Sequence, residues 1–335
     1  MKIKSHAKIN LFLHIIGKRP DNYHLLESIF YFPEIYDEIE IIEGKGAKNL
    51  EVSGRFADRL VGDENSNLIL KTYSLLKILY STKLPDLHFK LKKNLPVAAG
   101  IGGGSANAAT TLKALNEIYK LGLSDAALYK IGARLGADVP ACVLGRTCFV
   151  EGVGEKLSDI SNFPKLNILL VNPLVPVSTA EIFKMGFADY TSSLHHNSGV
   201  IASEALAERG NLETGNWKLE TGKSKPELDP RFCEDDTAFG AKVLSTKYQL
   251  PNFKSTQHLI DFLETTKNDL ENNAIKLCPQ ISDIIKSISS QNGCLLARMS
   301  GSGATCFGIF ESADKAKQAK FAIETSSPNF WCEVG

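Results

Sequence analysis

No apolar run in this chain approaches the roughly 18–20 residues that a membrane span needs. Charge of one sign is not in surplus either. Lys plus Arg total 38 and Asp plus Glu total 38, for a formal net charge of zero. That balance speaks against a protein that coats nucleic acid through a broad basic face, while leaving room for a small basic pocket that takes a phosphorylated metabolite. The seven cysteines (Cys142, Cys148, Cys233, Cys278, Cys294, Cys306, Cys332) are odd in number and scattered, without a CxxC pair. A disulfide scaffold or a zinc site does not fit that pattern, and a reducing cytoplasm does. Internal repeats are also lacking. Near the N-terminus, Leu11–Ile16 follows Lys2 and Lys4 but is bounded or interrupted by Asn10 and His14. It falls short of the about 7–15 uninterrupted apolar residues of a signal peptide and reads as a strand retained in the mature protein.

What is present is a globular composition, 43% hydrophobic and 23% charged over 335 residues, enough for two domains or one large one. Ile3 to Ile16 reads as one extended stretch, and Ile35 to Ile42 alternates apolar and charged residues. A helical stripe starts near Asn67, a short strand covers Leu87–Leu91, and helices follow at about Ser105–Tyr119 and Asp125–Leu135, the last stopped by Gly136. Val143–Val150 reads as a strand closing a first unit, and Leu166–Val171 as a buried strand opening a second. The final third reads as helices at Thr256–Leu263, Asp269–Leu277 and Ile281–Ser289, strands at Cys294–Met299 and Ala304–Phe310, and a helix at Asp314–Glu324. Helices mixed with antiparallel strands in two blocks give an α+β protein. From about 187 to 251 the chain is polar and Gly/Pro-punctuated, and reads as a partly mobile insertion.

Four elements carry chemistry. Pro96 to Ala109 holds Gly100, Gly102, Gly103 and Gly104 immediately before Ser105 and a helix. Glycines let the backbone approach a ligand, and the free N–H groups of a helix start suit a phosphate. It is not a Walker A loop, because no Lys precedes Ser105 in GxxxxGK[ST] spacing, nor a dinucleotide fingerprint, because Ser105 stands where the third glycine belongs. A second glycine loop, Met299–Thr305, joins two apolar strands and is either a plain hairpin turn or a cover for the first loop. Asp138, in Gly136-Ala137-Asp138-Val139-Pro140, is a helix N-cap by local sequence, held rigidly enough to serve a site as well. Lys8 and Asn10 interrupt an apolar strand. They face either solvent or a polar site, since burial without partners is unfavourable.

Taken in order, Ala7-Lys8-Ile9-Asn10-Leu11, Gly17-Lys18-Arg19 with Asp21-Asn22-Tyr23-His24, Gly102-Gly103-Gly104-Ser105, Gly136-Ala137-Asp138-Val139-Pro140, Asn268-Asp269-Leu270-Glu271 and Ala297–Ala304 resemble the GHMP kinase superfamily. Within it they are most similar to the kinases of CDP-linked methylerythritol. The resemblance implies a two-domain fold, 1–160 (ATP-binding) and 161–335, with the active-site cleft between the domains. It implies ATP-dependent phosphorylation of the 2-hydroxyl of 4-CDP-2-C-methyl-D-erythritol, in the non-mevalonate route to isoprenoids, by a cytoplasmic monomer or homodimer. Asp138 matches the catalytic base and Lys8 its partner. Pro96, Gly100, Gly102, Gly103, Gly104 and Ser105 match the ATP phosphate loop, and Asn67, Leu68 and Lys93 the adenine and sugar positions. Asn10, Tyr23, His24, Phe30, Thr179 and Phe183 match the substrate side, with His24 and Tyr23 at the cytosine. Mg²⁺ is implied alongside ATP, without a dedicated carboxylate cage in the sequence. The insertion at 187–251 exceeds the family expectation. Another GHMP small-molecule kinase and a non-catalytic nucleotide-binding regulator are the alternatives. Tyr23-His24 speaks against the first, and the presence of both Lys8 and Asp138 against the second.

Overall fold

In the computed structural model the expected stretch Ile3–Ile16 is two strands, β1 (Lys2–His6) and β2 (Ile9–Lys18). The chain changes sheets at the break. β2 runs antiparallel to β3 (His24–Tyr31), whereas β1 pairs with β4 (Tyr36–Glu43). The two linking residues bond elsewhere: Ala7 N–H donates to Ile35 O at 2.8 Å and Lys8 N–H to Ile101 O at 2.9 Å. Lys8 is thereby delivered to the first glycine loop by backbone pairing, not by strand alternation. The structure describes residues 1–20, 23–44, 49–60, 66–186 and 250–335. Asp21, Asn22 and nearly all of the expected insertion at 187–251 lie outside the described residues.

Further along come β5 (Leu50–Ser53), α1 (Leu68–Leu79), β6 (Leu87–Lys92), α2 (Gly103–Ile118), α3 (Asp125–Leu135), α4 (Val139–Leu144), β7 (Cys148–Gly152) and β8 (Lys156–Asp159). Two sheets result, ordered β1-β4-β6-β5 and β2-β3-β7-β8. The second half adds β9 (Asn167–Asn172), α5 (Thr179–Lys184), α6 (Thr256–Glu264), α7 (Glu271–Leu277), α8 (Gln280–Ser289), β10 (Cys294–Met299), β11 (Cys306–Phe310), α9 (Ala313–Ser326) and β12 (Trp331–Val334). Its sheet is ordered β10-β11-β9-β12. Pairing is antiparallel except between β5 and β6. The α+β expectation holds. The strand expected at Val143–Val150 does not. Pro140 sits in the first turn of α4, Gly145 ends it in the left-handed region at φ 66°, and the strand starts only at Cys148.

Local signals explain most boundaries. Asn67 caps α1 by accepting from Ile69 N–H at 2.9 Å, and Ser124, Ser255 and Ser312 cap α3, α6 and α9 in the same way. In β6, Leu87, Phe89 and Leu91 are buried while Lys90 and Lys92 are exposed. Two cores then hold the site elements in place. One packs α2, through Ala106, Ala108, Ala109, Leu112 and Leu115, against Leu76 of α1, Ile39 of β4 and Phe89 of β6. The other joins Ile9, Leu11 and Phe12 of β2 to Ile168 and Leu170 of β9, Phe307 of β11 and Trp331 of β12. The buried Arg298 guanidinium straps the second core. It donates to Leu11 O, Leu263 O, Thr266 O and Thr266 Oγ1, each at 2.9–3.0 Å. Among the described residues, no helix is long and apolar enough to cross a membrane.

Because Leu112 is wholly buried where α2 meets its core, Leu112→Ala is expected to reduce unfolding free energy by about 2–5 kcal/mol. Urea titration followed by circular dichroism measures this, and an unchanged midpoint would contradict the packing described.

Candidate active site

A cleft of about 1300 Å³ is lined by parts of all the sequence elements singled out above. At its floor stands the start of α2, two residues earlier than the expected Ser105. Gly102 takes the N-cap position at φ 63° and supplies no side-chain cap. The N–H groups of Gly103, Gly104 and Ser105 belong to the first turn, which cannot bond them within the helix. They meet the positive end of the helix dipole at the cleft, an arrangement suited to an anion. Pro96, Gly100, Gly102, Gly103, Gly104 and Ser105 all line the cleft, with Asn67 and Leu68 beside them.

Asp138 occupies the N-cap position of α4 but makes no capping hydrogen bond. Its Oδ2 instead lies 2.9 Å from Lys8 Nζ. The Lys8 side chain is 5% exposed and that of Asp138 35%, so one carboxylate both compensates a buried ammonium and remains open to the cleft. Lys8 Nζ also donates to Asn10 Oδ1 at 3.0 Å and lies 4.3 Å from the Phe30 ring centroid. Asn10 Nδ2 donates to Ser28 Oγ at 2.9 Å, and Ser28 Oγ donates to Phe12 O at 2.6 Å. Lys8 and Asn10 thus belong to a polar site, which settles the two readings their sequence context left open. This chain of bonds fixes the ammonium without a mobile partner.

The far end of the cleft is aromatic. His24 and Phe183 stack with ring centroids 4.8 Å apart and planes 29° from parallel, and Tyr23 is an exposed neighbour. Burial, and then the positive charge of Lys18, hold the His24 pKa below its ordinary value of 6.5. Thr179, the first residue of α5, shares a hydrogen bond of 2.7 Å with Ser302 Oγ. Asn10, Tyr23, His24, Phe30, Thr179 and Phe183 therefore all line one cavity with Lys8 and Asp138.

The second glycine loop is more than a hairpin turn. It lies against the first loop in direct backbone contact. A methyl group on Gly100, at φ 73°, would stand 2.7–2.8 Å from Gly303 O, Gly303 N and Ser300 O, and one on Gly301 would stand 2.8 Å from Gly100 O. Ser300 Oγ accepts from Asn10 N–H at 3.1 Å and donates to Gly100 O at 3.2 Å.

Lys93 reaches the cleft wall, but its Nζ is 2.6 Å from Asp37 Oδ2, with both side chains enclosed. Burial lowers the Lys93 pKa, and the Asp37 charge opposes that shift. Asp37 also accepts from Asn94 N–H, Leu95 N–H and Asn107 Nδ2. Sequence reading missed Asp37, although the signal was there. Alternation places it on the same face as Ile35, Ile39 and Ile41, all buried. Lys18, from the Gly17-Lys18-Arg19 motif, lines the cleft; Arg59 and Lys184 also line it and were missed. Nothing in their local sequence separates them from surface cations.

Known proteins agree with this geometry. Residues 67–146, which carry the first loop and Asp138, match the GHMP kinases N terminal domain, and residues 251–328 match the GHMP kinases C terminal family. The chain therefore belongs to the GHMP kinases. It is 37% identical, over 97% of its length and 92% of the relative's, to the 4-diphosphocytidyl-2-C-methyl-D-erythritol kinase of a Chelativorans species. It is 35% identical, over 98% and 96%, to that of Parvibaculum lavamentivorans. Within the GHMP kinases it is a member of the 4-diphosphocytidyl-2-C-methyl-D-erythritol kinase family. Both alignments run through the 187–251 stretch. A crystal structure of 4-(cytidine 5'-diphospho)-2C-methyl-D-erythritol kinase superposes with a TM-score of 0.66 at 23% identity, covering 100% of this chain and 98% of that one. Homoserine kinase from Cytophaga hutchinsonii gives 0.57 at 14%, covering 100% and 93%. At these identities the two structures speak to the fold alone.

Two glycines separate strain from crowding. Gly122, at φ 79°, has nothing within 4 Å of an added methyl, whereas Gly100 has backbone on several sides. Gly122→Ala is expected to lose about 1–3 kcal/mol of stability from its backbone alone. Gly100→Ala should lose more, and should weaken ATP binding by on the order of tenfold because the phosphate loop must move. Calorimetric titration with ATP checks this. Equal affinities in the two variants would refute the loop contact.

Proposed function

We infer that this chain transfers the γ-phosphoryl group of ATP to the 2-hydroxyl of 4-CDP-2-C-methyl-D-erythritol, releasing ADP and the 2-phosphate. The observation that carries this reading is the Lys8–Asp138 pair, which opens into the same cleft as the uncapped start of α2. The chemistry of such a transfer is mainly alignment and charge stabilisation. The first-turn N–H groups of α2 would hold the phosphates, with Asn67, Leu68 and Lys93 toward the adenine and sugar. Asp138 would accept the proton of the attacking hydroxyl. The adjacent Lys8 ammonium, 2.9 Å from that carboxylate, offsets negative charge that builds on the transferring group. Asn10 and Thr179 would hold the alcohol, and His24, Tyr23 and Phe183 the cytosine, by stacking and edge contacts. In this reading residues 1–160 bring the phosphate loop and the ion pair, and 161–335 bring Thr179, Phe183 and the covering loop.

Mg²⁺ fits without a cage of its own. Among the described residues no group of three or more His, Cys, Asp or Glu could hold a metal, and Asp138 is the one carboxylate lining the cleft. A cation that keeps its waters and takes phosphate oxygens needs no more from the protein. Bound as the ATP complex, it would supply charge neutralisation at the phosphates.

The test is ADP release in the presence of ATP, Mg²⁺ and the CDP-linked alcohol, with a panel of other alcohols in parallel. Asp138→Asn should lower kcat by about 10²–10⁴-fold while ATP still binds. Retained turnover would remove Asp138 from the base role. The pH dependence gives a separate check. A His pKa below the ordinary value means the fold holds the neutral ring, so the substrate-competent form is present above 6.5 and is lost as pH falls. In this reading the neutral ring takes the cytosine edge, so the KM for the CDP-linked alcohol should rise at acid pH, by up to about tenfold per pH unit once His24 protonates below 6.5. The KM for ATP should not follow it, and parallel profiles for both substrates would count against the His24 role.

A further inference from the structure

Of the Asn268-Asp269-Leu270-Glu271 motif, only Leu270 lines the cleft. The three polar side chains bond to backbone instead. Asn268 is 6% exposed, and its Nδ2 donates to Met299 O at 2.9 Å and to Gly301 O at 2.8 Å. Its Oδ1 accepts from Leu270 N–H at 2.9 Å. A side chain with two donors on one atom and an acceptor on the next is a primary amide. A flip would point a carbonyl at two carbonyls, so the orientation is set by its partners. Asp269 Oδ2 accepts from Ile15 N–H at 2.8 Å, and Asp269 N–H donates to Leu13 O at 2.8 Å. Glu271 Oε2 accepts from Met299 N–H at 3.1 Å. The motif is thus laced to β2 and grips the second glycine loop at three backbone groups.

That loop lies between the two ends of the cleft. On one side Gly301 and Ser300 rest on Gly100 of the phosphate loop. On the other, Ser302 is bonded to Thr179. Gly301 and Ser302 themselves face the cleft.

We propose that Asn268 is a positioning residue for phosphoryl transfer. Its amide holds the Met299 and Gly301 carbonyls and so sets the Gly301–Ser302 backbone between the phosphate end and the alcohol end. The proposal rests on the kinase reading above. Asn268 touches no substrate and acts through the loop. The phosphates are held by the start of α2, which Asn268 does not contact. Loosening the loop therefore disturbs the alignment of donor and acceptor more than the binding of ATP.

Asn268→Asp tests this with almost no change of shape. It keeps the acceptor for Leu270 N–H and replaces the two donors by an oxygen facing two carbonyls. Burial and those carbonyls disfavour its ionised form, and the protonated form regains one donor. At pH 8 kcat is expected to fall about 10- to 100-fold, as for a small misplacement of reacting groups. The KM for ATP should stay within about threefold. The kcat ratio of variant to wild type should recover as pH falls, whereas Asn268→Ala should show the loss without the recovery. A structural role alone would lower the melting temperature and leave kcat unchanged well below it. That result, or a change confined to the KM for ATP, would overturn the proposal. If Asn268→Asp does not fold, Glu271→Leu, which releases Met299 N–H at the start of the same loop, must give the same kcat-against-KM split. Wild-type turnover is measured alongside. Its absence would overturn the kinase reading and this proposal with it, whereas normal wild-type turnover with an unaltered variant overturns this proposal alone.

Discussion

Backbone meets backbone where the two glycine loops touch, and much of the site depends on that contact. Gly100 faces Gly303 and Ser300 at distances that leave no room for a Cβ, and Gly301 faces Gly100 in return. Elements from opposite ends of the chain are thereby brought as close as protein chains can pack. The contact lets Ser300 take the Asn10 N–H, which keeps the polar start of β2 in register with the first glycine loop. It also leaves Ser302 within reach of Thr179. A side chain at Gly100 or Gly301 would push the two loops apart.

Two buried lysines divide the electrostatic work. Removing an ammonium from water is unfavourable by several kcal/mol unless a carboxylate and further hydrogen bonds replace the solvent. Lys93 and Asp37 meet that demand inside the protein. Asp37 is fully buried, so that carboxylate cannot reach the cleft, and it uses its remaining capacity on Asn94, Leu95 and Asn107, at the two ends of the first glycine loop. Lys8 and Asp138 meet it at the cleft surface. Asp138 stays partly exposed because it caps no helix. The first pair shapes the loop and the second is available to chemistry, and the difference lies in which carboxylate can still reach a ligand.

The site was more legible in the sequence than the elements that assemble it. Gly100 to Ser105 and Lys8 stand out because a glycine cluster and a charge in an apolar strand have few local explanations, whereas Asp138 reads locally as a helix cap. The break between β1 and β2 did not stand out, because Ala7-Lys8 has no turn chemistry. Hydrogen bonds to Ile35 and Ile101, far away in sequence, create it. The helix start at Asp138 and Pro140 was legible, but its end was not: Val143 and Leu144 fit the strand pattern expected at Val143–Val150, and Gly145 in the left-handed region closes α4 before β7 begins at Cys148.

By itself the sequence determined a glycine-rich loop ahead of a helix, a lysine and an asparagine that need polar partners inside an apolar strand, and an aspartate at the start of a short helix. Those follow from residue type and near-neighbour spacing, which a linear chain displays directly. Tertiary structure alone decided the partnerships. It turned Asp138 from a helix cap into the counter-ion of Lys8, buried Asp37 beside the first glycine loop, and set Asn268 on the carbonyls of a loop some thirty residues away. The reason is physical. Each partnership replaces water around a buried polar group, and which groups lose their water is known only once the sheets and helices have closed over them.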